Sequence, residues 1–233
     1  MSDTTRTVLD TVQEAIHSEP RVAPHAAWRI LLLFLGVLLP LFGFGVLADN
    51  VLEQELFAFD APIQLFMHGQ ANGVFDAITV WSSRAGSAWG LVPLNTLVAV
   101  WLYRRGALRQ TWFWLLATAG AATLNLVAKY SFARPRPSLW VSISPETGYS
   151  FPSGHSMAIM ALAAAVVCLV WHERRWRPIA LAAGSMLVLL IGSSRIYLGV
   201  HYPSDVLAGW LASLAWVVGL AVLMRPRKYA DAV

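Results

Sequence analysis

The sequence predicts an all-α integral membrane protein, a bundle of six transmembrane helices with short interfacial helices. Three observations predict it. Apolar residues make up 57% of the 233 positions and charged ones only 13%, with eleven Trp, a composition outside that of soluble domains. Six runs meet or approach the roughly 20 apolar residues needed to cross the hydrocarbon core: 28–47, 85–103, 111–128, 155–171, 178–198 and 205–224. The basic residues fall mostly on one side of those runs.

The first run follows a mostly polar tail, 1–27, so a cleaved secretory leader is not expected and the run reads as a retained anchor. Within that tail Val8, Leu9, Val12, Ala15 and Ile16 have helical spacing, which fits a surface helix and a loosely ordered tail equally well. Between the first two runs lies segment 49–84, acidic apart from Arg84. Its Asp60-Ala-Pro reads as a helix start, with Asp60 as cap and Pro62 in the first turn. With Leu56, Phe57, Phe59, Ile63 and Phe66 it reads as an interfacial helix in the headgroup layer.

The second run is diluted by Gly90, Pro93 and Asn95, which makes it the weakest of the six. The fourth and sixth begin on ionisable residues, His155 and Asp205. Cys168, the lone cysteine, lies in the fourth run, so no intramolecular disulfide can form and the redox compartment cannot be read from it. Residues 28–224 thus read as one membrane domain between tails 1–27 and 225–233.

Arg6, Arg21, Arg29, Arg104, Arg105, Arg109, Arg174, Arg175, Arg177, Arg225, Arg227 and Lys228 are twelve of the seventeen Lys and Arg, and a six-span layout puts them all on one side. Because positive residues stay on the cytoplasmic face, both termini are expected inside. Arg84, Lys129, Arg134, Arg136 and Arg195 break the rule and call for another reason. The net charge of +4 matters less than this placement, and no nucleic-acid partner is expected.

Three clusters lie at span ends on the outer side. The first is Lys129 to Pro137, after the third run; the second is Pro152-Ser153-Gly154-His155, opening the fourth; the third runs from Ser194-Arg195 through His201 to Asp205. A Lys or Arg at a span end ordinarily snorkels to the headgroups. Lys129, Arg136 and Arg195 together would instead form a cup for a multiply charged anion, the Arg forks pairing with phosphate oxygens and Lys adding a point charge. Arg134 reads as a headgroup contact. Ser153 reads as an N-cap, and the helix N-terminus behind it offers free N–H groups and a positive dipole end to an anion, with Gly154 leaving room for close approach.

His201 and Asp205 are four apart, so the carboxylate can face the imidazole. Either Asp205 merely caps the sixth span, or it fixes the His201 tautomer and stabilises its cation, as in a catalytic triad. His17, His25, His68 and His172 lack such a neighbour in sequence and read as surface residues. A metal centre is the rival for two His and one Asp. Magnesium or two-metal chemistry needs several carboxylates, and the clusters offer only Asp205 and, less convincingly, Glu146. Zinc would accept the set, but three cations would repel it. Metal-free chemistry without a cofactor is therefore expected.

Lys129-x6-Arg136-Pro137, Pro152-Ser153-Gly154-His155 and Ser194-Arg195-x5-His201-x3-Asp205 together resemble the signature of the type 2 phosphatidic acid phosphatase (PAP2) family. The resemblance implies that His201 attacks phosphorus and forms a phosphohistidine, oriented by Asp205. It implies that His155 protonates the leaving oxygen and then activates water. Lys129, Arg136, Arg195, Ser153 and the Gly154 backbone would hold the phosphoryl oxygens. Within the family, the chain resembles the compact bacterial phosphatases of phosphatidylglycerophosphate and undecaprenyl pyrophosphate. That implies a bacterial plasma-membrane enzyme whose lipid phosphate substrate keeps its tails in the bilayer.

Two other classes stay open on sequence: a lipid phosphotransferase with a non-water acceptor, and a non-enzymatic lipid-binding or transport protein. Trp140, Tyr149 and Phe151 read as interfacial anchors or as entrance walls. Headgroup preference and oligomeric state are not written in the sequence.

Overall fold

The computed structural model describes residues 30–224 apart from 32 and 56. The readings for tails 1–27 and 225–233, including the stretch from Val8 to Ile16, His17, His25 and six of the basic residues, lie outside the described residues, as does Leu56. Among the described residues there is no strand. A π-helical stretch, Phe34–Leu38, runs into α1 (Leu39–Leu52). Then follow α2 (Asp60–His68), α3 (Gly73–Ala85), α4 (Ala88–Arg104), α5 (Leu108–Phe132), α6 (Gly154–Val170), α7 (Trp176–Tyr197) and α8 (Pro203–Met224).

Over the described residues all six predicted runs are helical, with the described ends shifted by a few residues. Phe34–Leu52, α5, α7 and α8 are each long and apolar enough to cross a membrane. The helices α3 and α4 meet that standard only as a pair bent by 46°, which gives a fifth crossing if the pair is counted as one. Helix α6 has 17 residues, about 25 Å at roughly 1.5 Å per residue, and falls short of the same standard. Large apolar side chains such as Trp89, Leu97, Trp112, Val127, Met186 and Leu223 face outward. In hydrocarbon that is solvation, whereas in water it would be a large sticky patch.

Short α6 is the centre of the bundle. It packs against α5, α7 and α8 and buries Met157, Ile159, Ala161, Leu162, Ala163 and Ala165. The small residues let neighbouring backbones come close, which is how helices associate where the solvent is itself apolar. The same device seats α8 on the start of α6: a Cβ on Gly209 would lie 2.9 Å from the Ser153 carbonyl oxygen. Helix α1 packs on α8, and α2 and α3 pack on α7.

Segment 49–84 holds two helices where the sequence predicts one. Asn72 caps α3, its Oδ1 accepting from the Val74 and Phe75 N–H groups at 3.1 Å. Helix α2 does begin at Asp60, but the carboxylate is no cap. It is buried at 4% exposure and accepts from Ser204 and Arg134, because a buried cation holds a carboxylate more strongly than neutral N–H groups do. Phe151 is neither anchor nor wall. It is fully buried, 5.9 Å from the Phe44 ring and 5.0 Å from Phe132. Trp140 stacks on exposed His68 at 4.2 Å, and Tyr149 meets Tyr130 edge-on at 6.0 Å.

Candidate active site

The three clusters converge at one end of the bundle. Helix α5 ends where Ala133 takes a left-handed conformation (φ 47°), which turns Arg134 and Arg136 away from the helix axis. Helix α6 opens on Ser153, whose hydroxyl accepts from the Ser156 N–H at 3.5 Å and the Ser156 O–H at 3.0 Å. Helix α7 delivers Arg195 in its last turn. A tight turn then brings the His201 N–H back to the Arg195 carbonyl at 3.3 Å, and α8 starts with Asp205 in its first turn. The Ser153 N–H donates to the Asp205 carbonyl at 3.0 Å, tying the second cluster to the third.

His201 and Asp205 face each other as their spacing predicts, Nδ1 to Oδ2 at 3.4 Å, both essentially fully buried. The other imidazole nitrogen, Nε2, lies 3.3 Å from Arg136 Nη1. A guanidinium can only donate, so Nε2 accepts and the ring proton sits on Nδ1, toward the carboxylate. That tautomer leaves the Nε2 lone pair pointing into the cup.

A carboxylate occupies the cup. Glu146 Oε1 lies 2.5 Å from Arg195 Nη2 and 3.6 Å from His155 Nδ1, while Oε2 lies 3.1 Å from Arg136 Nη1 and 3.7 Å from His201 Nε2. One anion thus touches two guanidiniums and two imidazoles. Burial alone would push the Glu146 carboxyl up, but the close approach of His201, Arg195 and His155 holds it below the usual carboxylate range. Arg136 is braced by the carbonyls of Gly148, Val200 and Thr147 at 3.0, 2.8 and 3.0 Å. Arg195 is braced by the Ser83 hydroxyl of α3, and its Nε is buried with no protein partner among the described residues.

Not every expected residue enters this contact. Lys129 makes no ion pair with Glu146; its ammonium donates to the Tyr149 carbonyl at the rim. Gly154 is spared a side chain for a different neighbour than expected, since a Cβ there would lie 2.9 Å from Asn125 Oδ1 of α5. Arg134 is not a headgroup contact. It is 8% exposed and donates to Asp205 Oδ1 at 2.6 Å and to Asp60 Oδ2 at 3.0 Å, because two buried carboxylates hold it more firmly than a solvated interface would. Glu146, Ser83, Asn125 and Asp60 are absent from the sequence motifs. Among the described residues, no group of three or more His, Cys, Asp and Glu is arranged to hold a metal ion.

Beside the cup, between α4, α5 and α6, runs a cavity of about 480 Å³. Leu91, Val92, Leu115 and Ala119 line it, with Gly154 and His155 in its wall. The arrangement suits a ligand with an anionic end at the cup and an apolar remainder.

A family model described as "PAP2 superfamily" matches residues 110–229. An undecaprenyl-diphosphatase of Sulfolobus acidocaldarius is 27% identical over 84% of this chain and 89% of that protein. Phosphatidylglycerophosphatase B of Bacillus subtilis is 34% identical over 61% of this chain and 70% of that protein. The crystal structure of a transmembrane PAP2-type phosphatidylglycerolphosphate phosphatase from Bacillus subtilis has the same fold, with a TM-score of 0.70 at 23% identity over 83% of this chain and 98% of that one.

Proposed function

From the premise that this chain belongs to the PAP2 superfamily and is a phosphatase, we propose that it hydrolyses a phosphomonoester or pyrophosphate of a membrane lipid, without a metal, through a phosphohistidine. The substrate is a phosphatidylglycerophosphate, a phosphatidate or undecaprenyl pyrophosphate. The observation that carries this reading is the Glu146 carboxylate. An anion already sits where both imidazoles and two guanidiniums reach it, next to a cavity lined largely by apolar side chains.

His201 Nε2 attacks phosphorus in line with the departing oxygen, forming the N–P bond as the P–O bond breaks. His155 gives its proton to that oxygen, so the lipid leaves as an alcohol, or as a lipid monophosphate from a pyrophosphate. Neutral again, His155 takes a proton from water as the water oxygen attacks phosphorus, which breaks the N–P bond and releases phosphate. Asp205 keeps the Nδ1 proton in place and balances the positive ring. Arg136 and Arg195 take the charge spread over the phosphoryl oxygens; Lys129, Ser153 and the Gly154 N–H complete the set.

The layout that suits this chemistry is a six-span domain over residues 28–224 in a bacterial plasma membrane, with both termini cytoplasmic and the cup at the outer headgroup level. The test is phosphate release from the three lipid classes in mixed micelles containing EDTA. Turnover on at least one is expected. Loss of all activity in EDTA, with recovery on adding a divalent ion, would refute the metal-free mechanism.

A further inference from the structure

The sequence motifs end at Asp205, but the chain of buried polar contacts does not. Asp205 Oδ2 accepts from the Tyr202 N–H at 2.9 Å and faces His201 Nδ1, while Oδ1 accepts from Arg134 at 2.6 Å. Beyond Arg134 lies a second carboxylate, Asp60 of α2. Asp60 Oδ1 accepts from the Ser204 N–H at 2.9 Å, and its Oδ2 accepts from the Ser204 O–H at 2.6 Å and from Arg134 at 3.0 Å. Arg134 also donates to the Ser204 hydroxyl at 2.8 Å, and its guanidinium lies over the Tyr202 ring at 4.0 Å. One turn along α2, Gln64 donates to the His201 carbonyl at 3.2 Å. Helix α2 therefore grips both ends of the segment from His201 to Ser204.

We infer that Asp60 is a positioning residue for the proposed nucleophile His201, acting through Arg134 and Asp205; this rests on the reading of His201 given above. Two physical effects combine. With Oδ1 taken by Arg134, the Asp205 carboxylate cannot rotate, and Oδ2 is the oxygen left for the imidazole. Arg134 alone beside Asp205 would also cancel the charge that has to balance the His201 ring once it carries phosphorus. A second carboxylate on Arg134 leaves the trio of Asp60, Arg134 and Asp205 with one net negative charge, directed at His201 in a site almost closed to water.

The test uses Asp60→Asn, which keeps the shape and an acceptor for Ser204 and removes the charge. With the 233-residue protein in mixed micelles and phosphatidate as substrate, kcat is expected to fall about tenfold or more, the loss of one charge-assisted contact, while KM stays within about twofold. Because Asp60 acts through Arg134, the double variant Asp60→Asn/Arg134→Gln should be no less active than Arg134→Gln alone. Unchanged kcat in Asp60→Asn, a loss confined to KM or to the folded fraction, or losses that multiply in the double variant would each overturn the inference.

Should Asp60→Asn not fold, Ser204→Ala removes the hydroxyl link with every charge kept. A kcat several-fold lower at unchanged KM is then expected, and an unchanged kcat overturns the inference. If wild type releases no phosphate from phosphatidate, the same series is run on phosphatidylglycerophosphate and undecaprenyl pyrophosphate. Inactivity of wild type on all three refutes the lipid phosphatase reading itself, a result distinct from any of the variant outcomes.

Discussion

Arg195 Nη2 and Glu146 Oε1 lie 2.5 Å apart, the shortest ion pair in the cup, and they come from a helix end and a loop 49 residues apart in sequence. The pair joins the most deeply buried cation of the site to the one anion that reaches both histidines.

A phosphate bound as proposed would compete with the Glu146 carboxylate for the same donors. Glu146→Gln is therefore expected to bind orthovanadate, a phosphate mimic, about tenfold more tightly, the equivalent of one charge-assisted contact that no longer has to be broken. Competitive inhibition of lipid hydrolysis measures it, and weaker inhibition would mean that Glu146 assists the anion.

The same carboxylate gives a stability prediction with a definite sign. Its folded-state pKa is lowered, so its contribution is fully present above the ordinary carboxylate value of about 4.3 and is lost as pH falls through the folded value. In detergent, wild type should unfold at a higher temperature than Glu146→Gln at pH 7, with the gap closing only below about pH 4. A gap that is constant or widens toward acid would contradict the assignment of charge.

For Asp205→Asn, the His201 ring should lose the tautomer that points the Nε2 lone pair into the cup. The kcat for lipid hydrolysis is expected to drop on the order of 10⁴, as when the carboxylate of a Ser-His-Asp triad is replaced, with the protein still folded. His201→Ala should show no turnover and no acid-labile phosphoenzyme; residual phosphoenzyme would move the nucleophile elsewhere.

Proposed orientation can be read with thiols. In a background lacking Cys168, Val141→Cys on the exposed loop before α6 should react with a membrane-impermeant maleimide in intact cells. Glu173→Cys, between α6 and α7, should react only after permeabilisation. The reverse pattern would invert the layout.

Some of this site was legible because its determinants are local. Ser153 caps α6, Asp205 reaches back four residues to His201, and a placement at odds with the charge bias of the other loops marks Arg136 and Arg195. What was illegible depends on distant partners. Arg134 and Arg136 look alike two residues apart, yet one is buried against Asp60, 74 residues earlier, and the other lines the cup. Glu146 sits in a loop without periodicity, so only folding reveals that it meets four cationic or ionisable side chains. In sequence Asp60 reads as a cap because capping is a common use of Asp at a helix start, and its buried partners are distant in the chain. The crossing count also falls short of six, since α3 and α4 are apolar and long enough only as a bent pair and α6 has only 17 residues.

The seat of Gly209 on the Ser153 backbone, with the Ser153 amide tied to the Asp205 carbonyl, has an evolutionary implication. The proposed acid, His155, and the proposed nucleophile, His201, sit on segments that main chain ties together, whereas Glu146 reaches both rings only through its side chain. Side chains of the segment that carries Glu146 can change in descent while the main-chain tie, and the backbone carbonyls that brace Arg136, persist.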